Sequence, residues 1–157
     1  MNLKIGFIGA GAMAEALIRG LLKAGSAPEY LMASDIQPER LAAVRDLFSI
    51  RIGDNNQQIF DSSDVVVIAV KPQNLESALA GLKRDPAAAI AANGPNRPLV
   101  ISIAAGIPLA KLENLLPSDL PVIRAMPNTP AMIGYGATAI CLGQLAELEH
   151  EVQARSI

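Results

Sequence analysis

The sequence predicts an α/β fold, in which a doubly wound and mostly parallel sheet carries helices on both faces as three layers, αβα. Short apolar segments alternate with segments of helical period along the 157 residues, and such alternation is typical of βαβ crossovers. The strongest apolar run, Val65–Val70, is unbroken and mostly β-branched. A run of this kind is expected for a central parallel strand that is buried on both faces.

Strands are predicted where short apolar runs are bounded by turn residues. They cover Leu3–Ile8, Leu31–Ser34, Ile50–Ile52, Val65–Val70, Leu99–Ile103, Val122–Ala125 and Thr138–Leu142. Helices are predicted where apolar residues recur at steps of three and four. They cover Met13–Ala24, Asn55–Phe60, Pro72–Leu82 and Pro108–Leu115, and Ala87–Ala92 is predicted to form one or two helical turns. Another helix is predicted to begin at Pro38. A last helix is predicted with Leu145, Leu148 and Val152 on one face. Asn93–Asn96 and Met126–Gly136 are predicted to be loops.

Composition indicates one domain over residues 1–157, because the chain is close to the usual length of about 150 residues per domain and is 51% hydrophobic. A net charge of −2 excludes a broadly basic surface for nucleic acid. The chain contains no apolar run long enough for a membrane-spanning helix. The single cysteine, Cys141, cannot form an internal disulfide, which favours a cytoplasmic protein. In its apolar surroundings Cys141 is predicted to be a small buried side chain.

A glycine-rich turn follows the first predicted strand and precedes the first helix. Gly9, Gly11 and Ala14 have the spacing G-x-G-x-x-A. In dinucleotide-binding folds the first position allows the tight turn, the second lets the pyrophosphate approach the backbone, and the third lets helix and sheet pack closely. The helix N-terminus then faces the phosphates. The turn therefore predicts a Rossmann-like dinucleotide-binding domain.

The end of the second strand leaves the choice of nucleotide open. Asp35 lies where an acidic residue binds the ribose hydroxyls of NAD and repels a 2′-phosphate. Ser34 and Arg40 lie close enough in sequence to serve the 2′-phosphate of NADP, although a solvated helix residue is the more ordinary interpretation of Arg40 and charge alone favours NAD. Both nucleotides remain candidates.

Other polar residues follow later strands. Lys71 comes after the central strand, and Arg124–Pro130 follows another, which is where ligands bind in open parallel sheets. His150, between two glutamates near the end of the chain, is predicted to be solvated. No cluster has the spacing of metal ligands, and no catalytic triad is credible with one peripheral histidine. The lack of an evident acid or base suits hydride transfer, because there the cofactor supplies the difficult chemistry.

Four segments together resemble pyrroline-5-carboxylate reductases, the last enzymes of proline biosynthesis. They are Phe7–Ala14, Ala69–Gln73, Ser102–Gly106 and Arg124–Pro130. The resemblance implies NADP(H), or alternatively NAD(H), as the cofactor and a cyclic imine as the small-molecule substrate. It implies cofactor contacts from Ile8, Gly9, Ala10, Gly11, Ala12, Met13, Ser34, Asp35, Asn56, Ala69, Val70, Lys71, Pro72, Ile103, Ala104 and Ala105, with Asn128 and Thr129 bordering the reaction site. Catalytic residues are not predicted.

The chain departs from the family pattern in two ways. Ala12 replaces a common asparagine, and Ile36 replaces a common arginine, which weakens the case for NADPH. Family members also continue into a helical domain that makes the dimer and binds the substrate. The resemblance therefore implies a sheet truncated before its last strand, a chain that is inactive when isolated, and apolar faces that promote association. The alternatives are a related small-substrate dehydrogenase of the 3-hydroxy-acid type and a non-catalytic dinucleotide-sensing module.

Overall fold

A computed structural model describes residues 3–83, 97–133 and 135–157, apart from the side chains of Thr129 and Met132. The predicted helical turns at Ala87–Ala92 and the predicted loop at Asn93–Asn96 lie outside the described residues. The described residues form one seven-stranded sheet with helices on both faces. The predicted fold class is confirmed.

The strand order is β3-β2-β1-β4-β5-β6-β7. The strands are β1 Ile5–Ile8, β2 Leu31–Ser34, β3 Arg51–Ile52, β4 Val65–Ile68, β5 Leu99–Ser102, β6 Val122–Pro127 and β7 Thr138–Leu142. β1 to β6 are parallel, and β7 pairs with β6 in the antiparallel sense. The order reverses between β1 and β4, which makes the carboxyl ends of these strands the expected place for a ligand.

The helices form the two outer layers. They are α1 Ala12–Lys23, α2 Pro38–Phe48, α3 Asn56–Ser62, α4 Leu75–Leu79, α5 Leu109–Leu115 and α6 Leu148–Arg155. In the described ranges, three 3₁₀ turns cover Pro28–Tyr30, Pro72–Asn74 and Thr129–Ile133. Residues of α1, α2 and α6 contribute to the core on one face of the sheet, and residues of α3, α4 and α5 contribute to the core on the other.

Alternation along β1 divides its side chains between these two cores. Ile5 and Phe7 face one core, and Ile8 faces the other, because successive strand residues point to opposite faces. Gly6 brings α3 close to the sheet: a Cβ at Gly6 would collide with the side chains of Ile59 and Ser63. The close packing of α3 helps to place Asn56 at the sheet edge.

Several predicted boundaries differ from the structure. β4 ends at Ile68, and the predicted helix Pro72–Leu82 is a 3₁₀ turn followed by the short α4. The predicted loop Met126–Gly136 begins as a strand, because Pro127 still pairs with Thr138 of β7. A proline is tolerated there because β5 pairs with β6 only up to Arg124, so that no parallel neighbour needs its N–H.

The prediction for Cys141 is wrong, because the structure exposes this residue. β7 is an edge strand. Its residues Ile140 and Leu142 pack against the core, whereas Cys141 points to the other face of the strand. An apolar run on an edge strand therefore buries only every second side chain.

The prediction for His150 also needs correction. Its side chain is only 20% exposed, and its Nδ1 accepts a hydrogen bond from the Glu147 backbone N–H at 3.0 Å as part of a capping box. On the same helix, the side chains of Leu148 and Val152 are 73% and 61% exposed. The predicted apolar face of the last helix is therefore not buried in this structure. Within the described ranges, no helix combines the length and the apolar character that crossing a bilayer requires.

Candidate dinucleotide-binding site

A cleft of about 420 Å³ opens at the carboxyl ends of β1, β2 and β4, at the point where the strand order reverses. Its walls come from the turns after these strands and from α2, α3 and α4. The lining residues are Ile8, Gly9, Gly11, Asp35, Ile36, Gln37, Arg40, Asn56, Ala69, Val70, Lys71, Asn74, Ser77 and Ala78. The cleft therefore unites the glycine turn with residues that lie far apart in the sequence.

Glycine serves a different physical purpose at each of the two glycine positions of the turn. Gly9 has a φ of 98°, a region that other residues rarely adopt, and a Cβ there would lie 3.0 Å from the carbonyl carbon and oxygen of Ala69. Gly11 has an ordinary φ of −69°, and a Cβ there would meet no protein atom within 4 Å. Gly9 is thus required by the fold, whereas the missing Cβ of Gly11 leaves space in the cleft.

The N-terminus of α1 meets this space. Gly11 is its N-cap residue, and no side chain in the described part of the chain caps it. The first N–H groups of a helix lack internal partners and favour an anionic ligand. The uncapped helix start and the open space at Gly11 fit the pyrophosphate of a dinucleotide.

Ala10, inside the turn, is held from two sides. Its N–H donates to Asp35 Oδ2 at 2.7 Å, and its carbonyl oxygen accepts from Arg40 Nε at 2.6 Å. The Arg40 guanidinium also donates to Glu15 Oε2 at 2.5 Å. These contacts connect the turn to the end of β2 and to the first turns of α1 and α2. Arg40 is therefore not the freely solvated residue that the sequence allowed.

The Glu15 carboxylate sits between two arginines. It accepts hydrogen bonds from Arg40 and, at 2.9 Å, from Arg19. The hydrogen bond from Arg40 is the main reason that the pKa of Glu15 lies below its ordinary value. Glu15 therefore stays ionised at neutral pH.

Asn56 links three elements at the floor of the cleft. Its Oδ1 accepts a hydrogen bond from the Ser34 hydroxyl at 2.7 Å, and its Nδ2 donates to the Ala78 carbonyl at 2.9 Å. Ser34 is only 3% exposed and does not line the cleft. Its hydroxyl orients Asn56, which faces the space.

The wall formed by the segment after β4 contains three residues outside the predicted set. Asn74, Ser77 and Ala78 line the cleft beside Lys71. Their spacing of three and four residues places them on one side of a helix. This spacing, within the helix predicted directly after the strand Val65–Val70, is the signal that could have found them. Ile36 and Gln37, which follow Asp35 directly, were also outside the predicted set.

The remaining predicted cofactor residues lie around the cleft or beyond it. Ala12 and Met13 form the first turn of α1, and Pro72 begins the 3₁₀ turn after Lys71. Ile103 lines a second cavity of about 220 Å³, together with Pro127 and Thr138. In the turn after β5, Ala104 is buried and Ala105 is exposed. The structure therefore does not bring Ile103, Ala104 and Ala105 into the same cleft as the glycine turn.

Of the two residues predicted to border the reaction site, Asn128 stabilises its own loop. Its Oδ1 accepts from the Ala137 N–H at 2.9 Å, and its N–H donates to the Ala137 carbonyl at 3.2 Å. The backbone of Thr129 begins the 3₁₀ turn, and its side chain lies outside the description. Near this loop, Arg124 Nε is buried and has no hydrogen-bond partner among the described residues. No group of three or more His, Cys, Asp and Glu residues in the described ranges could hold a metal ion.

A family model described as NADP oxidoreductase, coenzyme F420-dependent, matches residues 4–106, which include the glycine turn, Asp35 and the wall after β4. The chain belongs to this family. Within this oxidoreductase family, the predicted resemblance to pyrroline-5-carboxylate reductases is confirmed. The pyrroline-5-carboxylate reductase of Synechocystis is 38% identical over 158 residues, covering 100% of this chain and 55% of the relative.

Solved structures agree with the sequence match. A pyrroline-5-carboxylate reductase from Coxiella burnetii superposes with a TM-score of 0.84 at 27% identity, covering 99% of this chain and 55% of that one. The pyrroline carboxylate reductase of Plasmodium falciparum, solved with NADP bound, gives a TM-score of 0.80 at 26% identity over 99% of this chain and 53% of that one. The chain thus spans about half the length of the relatives that it matches.

Proposed function

We propose that residues 1–157 form one dinucleotide-binding domain that supplies the cofactor half of a pyrroline-5-carboxylate reductase of proline biosynthesis. The observation that carries this proposal is the cleft at the β1–β4 switch point, with the glycine turn on one side and Lys71 on the other. The Synechocystis relative named for this activity aligns with the entire chain, which supports the choice of reaction.

The chain's own residues would bind and orient the nucleotide. The N-terminus of α1 and the space at Gly11 would receive the pyrophosphate. Asp35 and Asn56 would face the adenosine ribose, with Ser34 orienting Asn56. Ala69, Val70 and Lys71 would direct the nicotinamide half along the carboxyl edge of the sheet. Fixing the ring in one position removes orientational freedom, which is the main contribution that positioning makes to rate.

When bound, the dihydronicotinamide would supply a hydride to the carbon of a protonated cyclic C=N bond. The C=N electron pair would pass to nitrogen, which gives the ring amine of L-proline. Asn128 and Thr129 would border this reaction site. The Asn128 Oδ1 is already bound to the Ala137 N–H, so its Nδ2 is the group available for a ligand.

The nucleotide is NADP(H) or, alternatively, NAD(H). NADP(H) is supported by the description of the family and by the NADP found in the Plasmodium falciparum relative. NAD(H) is supported by Asp35 at the end of β2, where a carboxylate favours free ribose hydroxyls. The further expectations of the proposal are a cytoplasmic protein, a small-molecule substrate and no nucleic-acid or membrane partner. Homo-oligomers would form through a helical domain outside this chain.

A binding titration followed by an activity assay tests the proposal. Calorimetry of the purified chain with NADPH and with NADH should give saturable binding of at least one nucleotide. Incubation with pyrroline-5-carboxylate should then give no turnover, because the proposed substrate-binding half lies outside these residues. Absence of binding by a chain that circular dichroism shows to be folded would contradict the proposal.

The alternative functions predict different outcomes for the complete protein that contains this domain. A dehydrogenase of the 3-hydroxy-acid type would oxidise 3-hydroxy acids and would leave pyrroline-5-carboxylate unchanged. A sensing module would bind the nucleotide and turn over neither substrate. Reduction of pyrroline-5-carboxylate by the complete protein is the outcome expected here.

A further inference from the structure

Arg40 is the cation at the end of the cleft beside Asp35, where the adenosine ribose is proposed to bind. Its side chain already forms hydrogen bonds within the protein. Arg40 lines the cleft beside Asp35 and Ile36. Its Nε donates to the Ala10 carbonyl at 2.6 Å, and its guanidinium donates to Glu15 at 2.5 Å. An arginine that is to bind phosphate usually offers two donors in a fork. Here Nε is committed to the turn and Nη2 to Glu15, so that a phosphate could reach Nη1 only beside the Glu15 carboxylate.

The other charges at this end are negative. The Asp35 carboxylate accepts hydrogen bonds from the Ala10 and Gln37 N–H groups, at 2.7 and 2.9 Å. The Glu15 carboxylate is ionised, because its hydrogen bond from Arg40 holds its pKa below the ordinary value. A 2′-phosphate at this end would meet the carboxylates of Asp35 and Glu15 and a single guanidinium, that of Arg40, which already pairs with Glu15.

The neutral residues at this end add no second positive charge for a phosphate. Gln37 lines the cleft beside Ile36 and carries a side-chain amide that can donate a hydrogen bond, but this amide is uncharged. Ile36 follows Asp35 directly, lines the cleft and is 85% exposed, but it can offer only apolar contact. The Ser34 hydroxyl is 3% exposed and donates to Asn56. Among the described residues lining this end, Arg40 is thus the one cation that could serve a 2′-phosphate.

We propose that Glu15 is a positioning residue that sets nucleotide preference: by pairing with Arg40 it occupies the guanidinium that a 2′-phosphate would need, and so the cleft prefers NADH to NADPH. The proposal rests on the proposed function and decides between its two nucleotides. Removal of the Glu15 carboxylate would leave Arg40 its bond to Ala10 and would free the Nη2 donor that Glu15 now holds.

The test compares nucleotide affinities of the purified chain and its variants by calorimetry. Unaltered protein should bind NADH more tightly than NADPH. Glu15→Ala should raise the affinity for NADPH relative to NADH by about tenfold, since a hydrogen bond to a charged group is worth about that factor. Glu15→Gln, which keeps an acceptor without its charge, should give a smaller shift in the same direction. Adenosine 2′,5′-bisphosphate and ADP should show the same change as NADPH and NADH, because they probe the adenosine end alone.

Glu39 provides the matched control. It lies next to Arg40 in the first turn of α2, is exposed, and forms no hydrogen bond or ion pair with the described residues. Glu39→Ala removes the same charge at a similar place, and the NADPH to NADH ratio should change far less than in Glu15→Ala. Adding Arg40→Met to Glu15→Ala should abolish the gain.

The outcomes separate this proposal from the proposed function. Binding of both nucleotides with an unchanged ratio in Glu15→Ala and Glu15→Gln would overturn the role of Glu15 alone. Tighter binding of NADPH than NADH by the unaltered protein would do the same. Failure to bind either nucleotide would overturn the proposed function and this inference with it.

Discussion

The Ser34 hydroxyl donates a hydrogen bond to Asn56 Oδ1 at 2.7 Å, and so a buried residue of β2 orients an amide that faces the cleft. Ser34→Ala would leave Asn56 Oδ1 without this donor. We expect the free energy of unfolding to fall by about 1 kcal/mol, measured by urea denaturation.

Ser77→Ala is the control for this prediction. Ser77 is exposed and its hydroxyl donates to the Asn74 carbonyl, so its removal should change the free energy of unfolding by less than about 0.5 kcal/mol. Equal effects of the two substitutions would show that the Ser34–Asn56 bond adds nothing beyond an ordinary surface hydroxyl.

Alanine substitutions at Gly9 and Gly11 should have separate effects, the first on the stability of the fold and the second on nucleotide affinity. Gly9→Ala forces a Cβ into a backbone with φ of 98° and against Ala69, so we expect a loss of about 1–3 kcal/mol in the free energy of unfolding. Gly11→Ala meets no protein atom within 4 Å and should leave the melting temperature nearly unchanged. Because its Cβ occupies the proposed pyrophosphate space, it should weaken nucleotide affinity by about tenfold or more. Undiminished binding by Gly11→Ala would argue against the pyrophosphate position.

Glu15 should make stability sensitive to acid. Its pKa is lowered in the folded protein, chiefly by the hydrogen bond from Arg40. A carboxylate of this kind stabilises the fold above its unfolded-state pKa, and that stabilisation is lost as the pH falls through the lowered pKa of the folded state. Between about pH 6 and pH 3 the unaltered protein should therefore lose more unfolding free energy than Glu15→Gln. Parallel pH profiles in chemical denaturation would contradict the coupling.

Asn128 should be needed for its loop mainly as an acceptor. Its Oδ1 accepts from the Ala137 N–H at 2.9 Å. Asn128→Ala removes this acceptor and should lower the free energy of unfolding by about 1 kcal/mol, with faster limited proteolysis near the loop. Asn128→Asp keeps an acceptor at the same place and should behave like the unaltered protein. A loss of the same size in both variants would mean that the amide Nδ2, rather than Oδ1, matters for the loop.

The parts of the fold that the sequence could predict are those in which local pattern and global packing agree. The unbroken run Val65–Val70 identifies a central strand because both of its faces are buried, and the turn from Gly9 to Ala14 identifies the cleft because its spacing has a steric reason. Cys141 was predicted wrongly for the opposite reason. The pattern of β7 is apolar on both faces, and only its position at the sheet edge exposes one of them.

Partners across long sequence distances could not be predicted. The sequence placed Arg40 and Asp35 near the ribose, but it contained no sign that both would bind Ala10, 30 and 25 residues away. His150 is an intermediate case. Its distance of three residues from Glu147 is the spacing of a capping box, a local signal that the solvated interpretation overlooked.

α1 connects two remote parts of the domain. It begins at the glycine turn and ends at Lys23, and its 12 residues span about 18 Å at 1.5 Å per residue. Ala24, which follows the helix, is exposed. A fluorescent dye attached to Ala24→Cys, in a chain that also carries Cys141→Ser, would sit too far from the cleft to touch a bound nucleotide. Any change in its emission on titration would report a rearrangement transmitted through the domain rather than contact with the ligand.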